Sequence, residues 1–210
     1  MKVRIKICGL TRVEDIHAAV EAGADAIGLV FYPPSPRYVD LHKAAMLARA
    51  IPPFITIVGL FVNADPAVVR ETLAAIPIHL LQFHGDEDES YCQKFDRPYI
   101  KAARVKPGMD LVQYATDFSS AQAILLDAFV DGYGGSGKVF DWSLIPPLLD
   151  KPIILSGGLE AGNVGDALIR VRPAAVDVSS GVEVAKGIKD TEKIRLFIAA
   201  VRAAGLMPVD

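Results

Sequence analysis

Eight short β-branched or apolar runs recur along the chain, at residues 3–7, 26–31, 55–62, 79–83, 99–105, 123–126, 152–155 and 175–178, their starts 20 to 29 residues apart. Most of the intervals carry a helical pattern with its own start and stop signals. Such alternation implies parallel strands joined by helical crossovers, and eight units can close into a sheet with no edge to protect. The expected fold class is therefore α/β, a single compact (β/α)8 TIM barrel forming one domain over residues 1–210. A doubly wound open sheet is the rival, because nothing in a sequence shows whether strand eight pairs with strand one.

Individual intervals show the helix grammar. Thr11 and Glu14 are spaced as a capping box ahead of Val13, Ile16, Ala19 and Val20, with Gly23 placed to end the helix at positive φ. Asp65 precedes Pro66 as a cap before a first-turn proline, and Asp190 is set to cap the last helix. The sixth interval is the weakest, since Pro146 and Pro147 leave room only for a short helix over residues 142–149.

Composition narrows the partners. The 210 residues are 51% apolar with a formal net charge of −3 and no long run of one sign, which argues against nucleic acid and against an anionic membrane surface. The longest apolar stretch, residues 51–62, contains two prolines and falls well short of the roughly 20 residues that cross a bilayer. Residues 3–7 alternate basic and apolar side chains, unlike a secretion signal. Two cysteines, Cys8 and Cys92, without CxxC spacing, fit a reducing cytoplasm. His79 and His84 lie five apart on one strand and face opposite ways, while His17 and His42 fall in helical patterns, so no metal site is expected.

In a barrel, chemistry gathers where strands end and helices begin. The seventh junction reads Ser156-Gly157-Gly158 and the eighth Ser179-Ser180-Gly181, adjacent small-residue turns whose backbone N–H groups suit a phosphate. Residues 132–137 match GxGxxG, but Val139 replaces the Ser or Thr of a P-loop and no helix opens among the glycines; a lid after strand six fits better. Strand one ends at Cys8 and strand six at Asp127. Strand parity places Lys6 on the face of Cys8, so a Cys8 that points inward brings an interior lysine, for which Asp177 on strand eight is the expected partner. Arg37 follows strand two on a proline-stiffened loop where its fork can hold a carboxylate. His84 lies at the end of strand four. Cys92 is expected to be buried midway along the next helix.

Taken in order, Lys6-Ile7-Cys8-Gly9-Leu10-Thr11, Gly28-Leu29-Val30-Phe31-Tyr32, Ser35-Pro36-Arg37, Gln82-Phe83-His84-Gly85, Leu126-Asp127, Ser156-Gly157-Gly158-Leu159 and Asp177-Val178-Ser179-Ser180-Gly181-Val182-Glu183 give a chain that closely resembles the phosphoribosylanthranilate isomerase family of tryptophan biosynthesis. The resemblance implies a cofactor-free Amadori rearrangement of a small phosphorylated aromatic-sugar substrate, by a monomer or homodimer. It implies Asp127 as general acid, Cys8 as general base, Arg37 on the anthranilate carboxylate, Gly157, Gly158, Ser179, Ser180 and Gly181 on the phosphate, and His84 in the pocket. A thiolate base beside a protonated carboxyl inverts their ordinary order at a cost of about 6 kcal/mol in water. The mouth should therefore be dry around the acid and positive around the thiol, with Lys6 as a source of that field. The histidine-pathway isomerase of the same scaffold normally uses two aspartates and a second phosphate site, whereas strand one here ends in cysteine. A non-catalytic phosphate binder fits less well with Cys8, Asp127 and Arg37 all present.

Overall fold

In the computed structural model, which describes residues 2–128 and 141–205, the last strand pairs with the first. Eight parallel strands, β1 (Arg4–Cys8), β2 (Ala26–Val30), β3 (Thr56–Phe61), β4 (Leu80–Phe83), β5 (Tyr99–Val105), β6 (Ala123–Ala128), β7 (Ile153–Leu155) and β8 (Ala175–Val178), follow one another around a closed barrel in chain order. Each falls within two residues of an apolar run read from sequence. The β1–β8 register sets Arg4 opposite Ala175 and Lys6 opposite Asp177, which excludes the open sheet.

Helices α1 (Val13–Ala22), α2 (Leu41–Arg49), α3 (Pro66–Ala75), α4 (Glu89–Cys92), α5 (Leu111–Asp117), α6 (Val164–Val171) and α7 (Thr191–Ala204) cover the outside. Asp65 accepts from Ala67 N–H ahead of Pro66, Asp190 accepts from Glu192 and Lys193 N–H, and Gly23 takes φ 101°. The capping box does not form. α1 starts one residue later, from Arg12, and the Thr11 hydroxyl instead donates to Gly187 O at 2.6 Å. The sixth interval yields a single 3-10 turn, Trp142–Leu144, not a helix reaching residue 149, because Pro146 and Pro147 cannot donate to a continuing ladder. Cys92 is fully buried but is the last residue of a four-residue helix, not the middle of a long one. The glycine-rich stretch 132–137 lies outside the described residues.

The main apolar core lies between strands and helices, where Ile7, Leu29, Phe61, Phe83, Leu126 and Val176 meet α1–α7. Two smaller clusters fill the barrel. Ile100, Ala102, Ala123 and Leu125 plug its lower half, and Cys8, Val30, Leu60 and Val62 form an apolar wall near the C-terminal mouth. Among the described residues no helix is long and apolar enough to cross a membrane.

Between β8 and α7 the chain inserts a feature the alternating pattern does not announce. A 3-10 turn, Ser180–Val182, leads into an antiparallel hairpin of β9 (Glu183–Ala185) and β10 (Ile188–Lys189).

Candidate active site

The C-terminal ends of the strands surround a cleft whose empty space, open to solvent, is about 790 Å³. Cys8 from β1, Arg37 from the loop after β2, His84 after β4, Asp127 from β6, Gly157 and Gly158 after β7, and Ser179 and Ser180 after β8 all line it. Gly181 does not. It sits behind the wall, pressed so closely on Leu159 O that a Cβ would overlap it.

Strand parity explains the floor. Cys8 and Lys6 both point inward, and their side chains pass over Gly28, where an added Cβ would lie 2.7 Å from Cys8 Sγ and 3.1 Å from Lys6 Cε. Lys6 Nζ donates to Asp177 Oδ1 at 2.8 Å, and Ser156 Oγ reaches Asp177 Oδ2 at 3.4 Å. The interior pair expected from parity is present. Its effect on the thiol is smaller than expected: burial pushes Cys8 up and Asp177 adds to this, while Lys6 and Lys189 pull down without prevailing. The main reason is the loss of water around the buried thiol, and Asp177 offsets part of the pull that Lys6 exerts.

On the far wall Asp127 is partly buried. Its Oδ1 accepts from Ala128 N–H at 2.9 Å, and Oδ2 lies 3.2 Å from His84 Nε2. Fully buried Gln82 orients the ring: its Nε2 lies 2.9 Å from His84 Nδ1, so the imidazole is held between the Gln82 amide and Asp127. The turn presenting His84 is held from outside the barrel by buried Lys101, which donates to Gly85 O at 2.6 Å and Glu87 Oε2 at 3.0 Å. Glu87 in turn accepts from the N–H groups of Asn63 and Gly85. Neither Lys101 nor Glu87 was legible as part of this support.

Arg37 is buried and committed. Its Nε and Nη2 both bond Glu183, at 2.7 Å each, so the fork that the sequence offered to a ligand is taken by the protein. Among the described residues no hydrogen bond engages its Nη1. Gly9, next to Cys8, takes φ 74° and lets the Arg37 stem lie directly against the main chain of the β1 loop. At the β7 turn Gly157 takes φ 82°, and a Cβ there would lie 2.9 Å from Asp127 Oδ1. Among the described residues no hydrogen bond occupies the N–H groups of Gly157, Gly158 or Ser180. These three residues line the cleft together with Ser156 and Ser179.

A closed parallel barrel with its polar groups collected at the strand C-termini defines a (β/α)8-barrel enzyme. Comparison with known proteins takes this further. The model of the family described as N-(5'phosphoribosyl)anthranilate (PRA) isomerase matches residues 5–200. An N-(5'-phosphoribosyl)anthranilate isomerase of Dechloromonas aromatica (strain RCB) is 66% identical over 204 residues, 97% of this chain and 98% of that protein. Among solved structures, the phosphoribosyl anthranilate isomerase of Thermotoga maritima is 43% identical with TM-score 0.89, covering 96% of this chain and 99% of that one. A phosphoribosyl anthranilate isomerase in complex with reduced 1-(o-carboxyphenylamino)-1-deoxyribulose 5-phosphate is 40% identical with TM-score 0.86 over the same shares. The chain belongs to the N-(5'-phosphoribosyl)anthranilate isomerase family.

Proposed function

We propose that Cys8 and Asp127 divide the proton transfers of the reaction that gives this family its name. The protein isomerises N-(5'-phosphoribosyl)anthranilate, an aldose-to-ketose Amadori rearrangement of tryptophan biosynthesis. Asp127 donates a proton to the ribose ring oxygen as the C1′–O bond breaks, and the anthranilate nitrogen lone pair forms the C1′=N bond of a Schiff base. The Cys8 thiolate then removes the C2′ proton, and the released pair forms C1′=C2′ while the C1′=N electrons return to nitrogen. The enolamine tautomerises to the ketose by losing its hydroxyl proton and gaining one at C1′. Acid and base acting on one sugar from two walls is the role the cleft supports best.

The rest of the lining fits the two ends of such a molecule. Val30, Leu60 and Val62 with Tyr32 make an apolar wall for the aromatic ring, beside the free end of Arg37 for its carboxylate. The turns at Gly157, Gly158, Ser179 and Ser180 offer main-chain donors to the phosphate, and Gly181 supports that turn from behind. His84 holds Asp127 in place. No step calls for a cofactor or a metal, and the whole of residues 1–210 serves as one catalytic domain.

The observation that carries this reading is that Cys8 and Asp127, from strands β1 and β6, line the same cleft. Fluorescence of the anthranilate substrate followed in time, with and without protein, tests it. Accelerated loss of the substrate signal is expected, and a trace no faster than the protein-free control would overturn it.

A homodimer is the assembly favoured by one surface feature. Phe54 stands fully exposed at φ 71°, a strained conformation for a large apolar residue, and a Thermotoga maritima relative is described as dimeric. Sedimentation equilibrium should give a dimer mass, and Phe54→Ser should shift it toward the monomer.

A further inference from the structure

The β9–β10 hairpin turns two charged side chains into the protein. Glu183 and Lys189 retain 6% and 0% side-chain exposure. Glu183 gives both oxygens to Arg37, and its Oε1 also accepts from Lys189 Nζ at 2.9 Å. Lys189 Nζ donates besides to Ser179 O at 3.0 Å and reaches Ser179 Oγ at 3.3 Å. One buried ammonium is thus bonded both to the carboxylate that fixes Arg37 and to the residue that opens the β8 turn.

A simple staple would not need this chemistry. A buried ion pair gains little over well-packed apolar side chains, and this cluster holds two cations against one anion. The hairpin is itself anchored from behind. Thr11 Oγ1 donates to Gly187 O, Lys189 N–H to Asp15 Oδ2 at 3.1 Å, and Lys193 Nζ to Glu183 O at 2.9 Å. Its position is therefore fixed relative to the barrel, and through it the positions of Arg37 and Ser179.

We propose that Glu183 and Lys189 are positioning residues that set the distance between two anion seats, the free end of Arg37 and the turn at Ser179 and Ser180, so that the hairpin selects ligands carrying a carboxylate and a phosphate at one fixed separation. This rests on the roles given above to Arg37 and to that turn. Neither residue lines the cleft; both act through the groups that do.

The test uses the substrate, which must fill both seats, and two inhibitors that each fill one, anthranilate and inorganic phosphate. Glu183→Gln keeps shape and loosens Arg37. KM for the substrate should rise about tenfold with kcat within about threefold, while inhibition by anthranilate alone, free to follow a displaced Arg37, holds within about threefold or tightens. Lys189→Met should raise KM in the same way and also weaken inhibition by phosphate. An unchanged KM in Glu183→Gln, or KM and anthranilate inhibition weakening in step, overturns the proposal. Far-UV circular dichroism and Tm establish folding, and if Lys189→Met does not fold, Glu183→Gln decides alone. Arg37→Ala separates the two layers of argument. If it leaves KM and anthranilate inhibition unchanged, the seat assignment fails and this inference with it; if it raises KM and weakens anthranilate inhibition while Glu183→Gln leaves KM unchanged, only the inference is lost.

Discussion

Lys6 and Asp177 stand opposite one another in the register that closes the barrel, with Nζ 2.8 Å from Oδ1 and both side chains at 6% exposure or less. Burial works against the charged lysine, but Asp177, with a smaller contribution from Cys8, outweighs it and holds the ammonium charged beyond its ordinary range. Removing one partner leaves the other as an uncompensated charge in a dry interior. Lys6→Met is therefore expected to cost about 3–5 kcal/mol in urea unfolding, and adding Asp177→Asn to recover a measurable part of that loss.

That pair was legible in the sequence because two rules suffice to find it. Strand parity put Lys6 on the face of Cys8, and barrel closure made β8 the neighbour of β1. The caps at Asp65 and Asp190 were legible for a similar reason, since each uses contacts within four residues. Thr11 shows where local rules stop: its hydroxyl fits a capping box, yet a carbonyl from the β9–β10 hairpin takes it. The commitment of Arg37 to Glu183 was hidden for the same cause. Glu183 lies in an insertion without strand or helix period, 146 positions along the chain, and no spacing rule links the two. Lys101 and Gln82 were hidden because a lone polar residue in an apolar strand gives no sign of which buried partner it serves.

The proposed mechanism divides catalysis between two groups that do not substitute for each other. Cys8→Ala removes the proposed base and Asp127→Asn the proposed acid, and on that assignment each variant should lose at least ~100-fold in kcat with a smaller change in KM, the low end of a general acid or base contribution. Initial rates over a range of substrate concentration check this. Asp127→Asn is isosteric and Cys8→Ala removes a single buried atom, so unfolding curves should stay close enough to the parent's to separate chemistry from stability.

Burial raises the Cys8 thiol above its ordinary value, and Lys6 opposes that shift. Alkylation consumes the thiolate, so in the ligand-free protein Cys8 should react more slowly near neutral pH than an unburied thiol, its rate climbing at higher pH. Lys6→Met removes the opposing charge and should move the profile higher still. Cys92 is an internal reference: burial pushes it up to about 12, with no exposure, so its peptide should label later than that of Cys8 in the same digest. Mass spectrometry of the two peptides against time and pH gives the comparison.

At the opposite end of the barrel Asp25 ties the N-terminal mouth together, accepting from Arg4, from Ile5 N–H and from Arg202 of α7. Burial raises its carboxyl, but the hydrogen bonds from Arg202, Arg4 and Ile5 outweigh it and hold the group below the usual carboxylate value. The unfolded chain then takes up a proton before the folded one as pH falls. The stabilisation is accordingly present above the ordinary aspartate value of about 3.9 and fades as pH drops through the lower folded value. Asp25→Asn should lower stability by a constant amount between about pH 7 and 5, and the two unfolding free energies should converge below about pH 4. Because Asp25 lies at the barrel end that carries stability and away from the cleft, kcat and KM at neutral pH should stay with the parent, which separates the N-terminal ion cluster from the chemistry at the other mouth.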